Sequence, residues 1–387
     1  MRMRWRGWAG MLVVASLAGW TACGSSGAPG SGATGTLLVA TQGDMAVSSF
    51  QVDLDKGGLS HHSAGVSTGA GSFPIAMVIT PDGNTAFVAN QGSNDIASFT
   101  ISSDGTLSSG GVNQAIVGGS NPVSLAVDPS GAFLFVANQG SDNISVYAIS
   151  GATLTEVASS PFAVDPDPSA VVVAPNLDVL YVANNMNATV AAYEFDPATG
   201  ALTMPVPGSP YATGGIAPSG LATAVTTFSG GTPGGTFLYT ANAGSNNVSG
   251  FIICAAVTTT CPVADGSLIP VGAPFSAQLG PVALAATPGG EFLYVVDKGS
   301  NQVSSYTISA GTGALTATSP ATISTGLTPV AIGLPSGGGL VYVANFGAAS
   351  VSNYRIVKDA NGTPTGALQL VAGPVSCAGQ PAAVALK

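Results

Sequence analysis

The sequence predicts an all-β fold: a seven-bladed β-propeller with four-stranded blades, its ring closed by pairing of the N- and C-terminal strands. Three observations predict it. One short phrase returns seven times, a proline opens seven apolar segments, and the two ends of the chain carry complementary pieces of one blade. Composition agrees. With 53 Gly, 26 Pro and only 7% charged residues, the chain has the turn formers of many short strands and too few Leu, Glu, Lys and Arg for long helices.

The phrase reads Leu38-Val39-Ala40-Thr41, Phe87-Val88-Ala89-Asn90, Phe135-Val136-Ala137-Asn138 and Tyr181-Val182-Ala183-Asn184. It continues as Tyr239-Thr240-Ala241-Asn242, Tyr294-Val295-Val296-Asp297 and Tyr342-Val343-Ala344-Asn345. Its last residue falls at 41, 90, 138, 184, 242, 297 and 345, at intervals of 49, 48, 46, 58, 55 and 48. That period fits a four-stranded blade and is too long for helical repeats of about 34 residues.

Each unit has the same grammar. A proline opens an apolar strand A, as in Pro122-Val123-Ser124-Leu125-Ala126-Val127, and a turn such as Thr80-Pro81-Asp82-Gly83 follows. Proline presets φ there and glycine supplies positive φ. The phrase is strand B. A Gly-Ser-Asn turn leads to an alternating strand C, such as Ile144-Ser145-Val146-Tyr147-Ala148-Ile149, and a Gly-x-Leu turn starts a weaker strand D. Strand A is expected to be innermost and buried on both faces, and strand D to form the polar outer edge. Strand A starts at Pro74, Pro122, Pro168, Pro218, Pro281, Pro329 and Pro381. The body begins with a strand B, Thr36–Ala40, and ends with a lone strand A, Pro381–Leu386, so the two complete one shared blade. Such closure leaves only short edges.

Residues 1–22 read as a signal peptide, with Arg2, Arg4 and Arg6 before an apolar run from Met11 to Gly19 that is short for a membrane span. Trp20-Thr21-Ala22-Cys23 resembles a bacterial lipobox, with Trp20 standing where Leu is usual. Cleavage before Cys23 would leave its thiol for lipidation; the alternative is an ordinary signal peptide cut after Ala22. Residues 23–35 would then be the lipidated cysteine and a flexible Gly/Ser tether, and residues 36–387 the propeller. The predicted location is the bacterial cell envelope, with the membrane as a partner through the lipid anchor. The mature chain keeps Lys56, Lys298, Arg355, Lys358 and Lys387 against 18 acids, a formal charge of −13. A phosphate backbone would be repelled, which argues against nucleic acid.

The Tyr/Phe-Val-Ala-Asn phrases, preceded by Pro-Asp-Gly turns and followed by Thr-Gly-Ala-Leu turns, resemble the YVTN and lactonase-like seven-bladed propellers, over residues 36–387. The family includes 6-phosphogluconolactonases and cell-surface repeat proteins. Its enzymes carry a Gly-Pro-Arg-His phrase at strand A and a following His-Pro-Asp-Gly turn. Here Pro74-Ile75-Ala76, Pro122-Val123-Ser124, Pro168-Ser169-Ala170, Pro218-Ser219-Gly220, Pro281-Val282-Ala283, Pro329-Val330-Ala331 and Pro381-Ala382-Ala383 all lack Arg and His. The resemblance therefore implies the fold and, by these positions, no catalytic residue.

His61 and His62, the two histidines, are expected as an exposed pair on an outer strand D, facing opposite ways. Asn90, Asn138, Asn184, Asn242 and Asn345, with Thr41 and Asp297, are expected to bond the next turn rather than a ligand. No Cys-x-x-Cys pair or Cys/His cluster suggests a metal, and no cofactor is predicted. Asp165 and Asp167 suit a proline-flanked turn better than a Ca²⁺ site. Cys254 and Cys261 could form a disulfide, leaving Cys377 free.

Strands A and B being antiparallel, the residue before each strand-A proline shares a rim with the B–C turns. That rim would gather Asn121, Asp167 and Gln380 with Gln91, Gln139, Lys298 and Phe346. Amides offer donors and acceptors, and Phe a stacking plane, which suits a neutral glycan, an extended peptide or an envelope protein. The predicted function is a binding or scaffold module at the envelope, the alternative being a lactonase-type hydrolase with an atypical site.

Overall fold

The computed structural model describes residues 34–228, 233–377 and 379–387. Cys23, the signal peptide and nearly all of the tether lie outside the described residues. The described chain is all-β, arranged as seven antiparallel sheets in the order D–C–B–A from outside to axis. Blade 1 joins strand A, Pro381–Leu386, to strands B to D, Thr34–Thr41, Ala46–Asp53 and Leu59–Ser67. The other strands A are Pro74–Ile79, Pro122–Val127, Pro168–Val173, Pro218–Thr227, Pro281–Ala286 and Pro329–Gly333, opening blades 2 to 7 in turn. Every proline expected to open a strand A does so.

The ring closes as the terminal fragments require, with Leu37 opposite Leu386, Val39 opposite Val384 and Thr41 opposite Pro381. Their side chains enter a core shared with blade 7, including Leu37, Val39, Tyr342 and Val384. The long intervals also have local causes. Blade 5 has ten-residue strands A and B, and the Cys254–Cys261 disulfide closes a loop after its strand C.

One expectation needs correction. Strand B, not strand A, is covered on both faces: Thr85–Asn90, Phe133–Asn138, Val179–Asn184, Phe292–Asp297 and Leu340–Asn345 are buried throughout. Strand A is only half-buried over most of its length in blades 2, 3, 6 and 7, because its strands surround the axis and cannot meet there. Strand D is continuous only in blades 1 and 6; in the other five a second short strand continues the pairing with strand C. At two of these breaks a serine replaces a strand carbonyl: the Val146 and Ala192 N–H groups donate to Ser160 Oγ (3.0 Å) and Ser209 Oγ (2.9 Å).

Neighbouring blades are pinned by the aromatic residue of the phrase. Tyr181, Tyr239 and Tyr294 hydroxyls donate to the carbonyls of Gly266, Gly313 and Gly366 of the next blade, the first two in its C–D turn and the third near the start of its strand D, Pro364–Leu370. Those glycines have φ between 71° and 78°, a turn geometry that favours Gly. At the closing seam Asn353 Nδ2 donates to Gly57 O at 2.8 Å.

Candidate functional site

The rim forms the upper face of the ring, and one backbone bond builds it in every blade. The N–H of the first B–C turn residue donates to the carbonyl of the residue before the strand-A proline. The pairs are Gln42 and Gln380, Gln91 and Phe73, Gln139 and Asn121, Asn185 and Asp167, Ala243 and Ala217, Lys298 and Gly280, and Phe346 and Thr328, at 2.9–3.1 Å. The predicted rim residues are thus neighbours within their blades. Phe73, Asn121, Asp167, Ala217, Gly280 and Thr328 all have φ between 45° and 62°. Five are not glycine, so the rim holds its backbone in a region costly to ordinary residues.

A side-chain latch between blades supports this geometry. Asn94, Asp142, Asn246 and Asn301, each closing a B–C turn, accept through Oδ1 the N–H of Asn121, Asp167, Gly280 and Thr328 in the next blade, at 2.7–2.8 Å. Sequence reasoning missed this latch. Its signal was present: a short polar residue three positions after the first B–C turn residue, in four of seven blades.

Strand A carries a register shift beside its second residue in every blade. Bulges re-aim side chains. Here they free Ile75, Val123, Val330 and Ala382 to line a cavity of about 320 Å³, with Gln42, Lys298 and Phe346. These are the positions where the Arg of the lactonase phrase would stand, and in this chain they form an apolar mouth. The equivalent Ser169 and Ser219 donate to the carbonyls of Pro218 (2.6 Å) and Pro281 (3.0 Å), bridging blades. Gln42 is a further residue that sequence reasoning missed; it follows Thr41 as Gln91 follows Asn90.

The remaining rim candidates are less concentrated. Asn121 Nδ2 donates to Gln139 Oε1 at 3.2 Å, and both are half-buried beside half-buried Gln91 and Asp167. Gln380 is exposed. Of the predicted set, only Lys298 and Phe346 reach the axial cavity. Among the described residues Lys298 is the only cation of this face, since Arg355 and Lys358 lie in the lower part of strand C of blade 7, and Lys56 and Lys387 follow the lower ends of strands C and A of blade 1.

The polar ends of strand B are buried. Asn138 Nδ2 donates to Asn143 Oδ1 and Ser145 Oγ, both at 2.9 Å, and Asn242 repeats the pattern with Asn247 and Ser249 at 2.8 Å. Their partners are more often side chains of strand C than the expected backbone of the turn. Asp297 has the same place but no donor to offer. It accepts from Ser304 Oγ at 2.7 Å, and its other oxygen is buried without a partner. Burial pushes its carboxyl up to about 6.

The histidines lie in strand D of blade 1 and face apart, His61 edge-on to Phe50 and His62 toward Thr106 of blade 2 at 3.4 Å. They are half-buried rather than exposed, because the bulged strand packs against its neighbours. Burial, then the charge of His62, holds His61 below the usual histidine range. Neither reaches the axis. Asp165 accepts from Asn184 Nδ2 at 3.4 Å, and no three His, Cys, Asp or Glu side chains converge among the described residues.

Comparisons fit this architecture. The chain matches the family model "Lactonase, 7-bladed beta-propeller" over residues 70–173, 150–319 and 262–380. It has no significant match among curated protein sequences. Among solved structures it is similar to the periplasmic gluconolactonase PpgL of Pseudomonas aeruginosa, with 19% identity, a TM-score of 0.72, and coverage of 92% of this chain and 99% of that one. A Bacteroides fragilis protein provisionally described as a 6-phosphogluconolactonase gives 19% identity and a TM-score of 0.72, covering 92% and 98%. At such identity these likenesses speak for the fold. Seven closed sheets, repeated phrases and a family model spanning most of the ring lead to one statement: this chain belongs to the lactonase family of seven-bladed β-propellers.

Proposed function

We propose that this chain is an extracytoplasmic, lipid-anchored propeller that acts as a binding or scaffold module at the cell envelope. The observation that carries the reading is the axial mouth. Ile75, Val123, Val330 and Ala382 stand where a lactonase would present its strand-A Arg, and both histidines are in an outer strand. A site with one lysine, one glutamine and an apolar wall can hold a ligand, but it lacks a histidine to move a proton.

Geometry also orients the module. Thr34 opens strand B at the lower end of blade 1, opposite Asp53, and Gly35 lies against the carbonyl of Lys387. A tether running through residues 23–33 to Cys23 would pull from that side and leave the upper face turned outward. The disulfide suits an oxidising compartment, and the Pseudomonas relative is periplasmic. Labelled palmitate should enter the wild-type chain and not Cys23→Ala; equal labelling would remove the anchor from the proposal.

A second reading, lactone hydrolysis, is favoured by family membership and by the cavity that Lys298 and Gln42 share. The full chain should be assayed on glucono-1,5-lactone and 6-phosphogluconolactone. Hydrolysis at the spontaneous rate is the expected result. Turnover well above it, lost in Lys298→Met, would establish the hydrolase and overturn the binding module.

A further inference from the structure

We propose that the upper face docks a cationic, amphipathic polypeptide segment, its apolar side over blades 4 to 7 and its Lys and Arg side chains over blades 1 to 4. This rests on the binding-module reading and narrows it to one class of partner.

The apolar half is a crescent. Met186 is 71% exposed, Ile216 63%, Leu279 59% and Leu327 61%, and they belong to blades 4, 5, 6 and 7 in turn. Single exposed apolar side chains are ordinary, but one at the rim of each of four consecutive blades makes this side of the face apolar. Three of them stand two residues before a strand-A proline, over the glycine of their own B–C turn. Ile216 Cγ2 and Leu279 Cβ lie 3.0 and 3.1 Å from where a Cβ on Gly244 and Gly299 would be. Those glycines also donate their N–H to the Ile216 and Leu279 carbonyls, at 3.0 and 2.9 Å. The chain around each apolar residue is therefore fixed to the rim, and its side chain stays in solvent. Blade 4 differs, because Met186 itself replaces the turn glycine.

The other half carries the acids of this face, with Phe73 of blade 2 (52% exposed) as an apolar side chain among them. Asp44 and Asp142 are exposed on blades 1 and 3, Asp95 is half-buried on blade 2, and Asp165 and Asp167 are half-buried on blade 4. Among the described residues no cation faces them; Lys298 is on blade 6, at the axial cavity. The −13 charge of the mature chain adds a field that draws cations and repels anionic partners. Complementarity therefore asks for positive charge over one half and apolar side chains over the other. A neutral glycan would leave the crescent uncovered, and a flat bilayer would have to desolvate the carboxylates to reach it.

The test uses the full chain captured through a tag at the lower-face C-terminus, with a synthetic amphipathic Leu/Lys peptide as probe. Binding should weaken about tenfold or more in I216S/L279S/L327S, and comparably in D44N/D142N/D167N or at raised salt. D82N/D196N/D359N, on the lower face, should leave it unchanged. Melting curves of each variant check the fold. Equal loss in the lower-face variant would mean general charge attraction and overturn the proposal. So would crescent-dependent binding of phosphatidylcholine vesicles by the wild type without peptide binding. If the peptide fails but a neutral oligosaccharide binds in a manner lost in Asn121→Ala/Gln139→Ala, the binding-module reading stands and this inference falls. If neither binds and lactone turnover is found, both fall.

Discussion

Asp297→Asn should make the protein more stable, and more so as pH rises. In five blades the buried residue ending strand B is Asn, whose Nδ2 donates to strand C; in Asn242 it reaches Ser249 Oγ at 2.8 Å, and the Ser249 hydroxyl donates in turn to Thr213 O. Asp297 is fully buried and has only the Ser304 hydroxyl as a side-chain donor. Its carboxyl ionises at about 6 in the fold against an ordinary 3.8. Between those values the native state keeps a proton that the unfolded chain has released, so stability falls as pH rises from about 4 and the loss is complete above about 7. A difference of about two pH units at about 1.4 kcal/mol each amounts to roughly 3 kcal/mol. Asn removes that term and supplies the missing donor. With unfolding entropy of about 2.1 cal/mol/K per residue over roughly 350 residues, the gain corresponds to a Tm rise of about 4 °C at pH 8, shrinking toward zero at pH 4. Circular-dichroism melts of both proteins between pH 4 and 8 give the difference directly. A variant no more stable than wild type at pH 8, or a difference that does not change with pH, would refute the reasoning.

Tyr239→Phe removes the 2.7 Å bond to Gly313 O and leaves a buried carbonyl unpaired, so denaturant titration should register a loss of about 1–2 kcal/mol. Asn94→Ala removes the acceptor of the Asn121 N–H; hydrogen exchange at that amide should quicken while the ring stays folded. Cys254→Ser opens the loop after strand C of blade 5, costing at most about 2–3 kcal/mol, with new protease cuts between residues 254 and 267. By NMR the His61 ring should titrate below the usual 6.5, and since its neutral form is the one the fold favours, stability should decline as pH falls through that range. Unchanged values in any of these would remove the interaction concerned.

The fold was legible because its signals are local and repeated. A proline cannot donate to a ladder, so it marks where strand A begins, and a buried polar residue must bond nearby, so it marks where strand B ends. Both cues recur in seven blades, and the closing pair Leu37–Leu386 follows from counting strands. The site was legible only in outline. Rim positions could be named, but which of them reach the axis depends on bulges beside Ile75, Val123, Val330 and Ala382, and a bulge has no sequence sign here beyond the proline itself. The half-buried state of strand A was misjudged for a related reason. Periodicity reports which residues are apolar, whereas the space at a seven-fold axis is set by how many sheets surround it. Ile216, Leu279 and Leu327 read as ordinary loop residues until the ring sets them at matching rim positions of consecutive blades.

The seven carbonyl-to-amide bonds of the rim have an implication for how specificity can change. They use main-chain atoms alone, so these seven bonds do not depend on which side chains the fourteen positions carry. Phe, Asn, Asp, Ala, Gly, Thr and Gln all occupy one of the two positions in this single chain. New recognition could therefore be written into this surface residue by residue, with the ring beneath it left as it is.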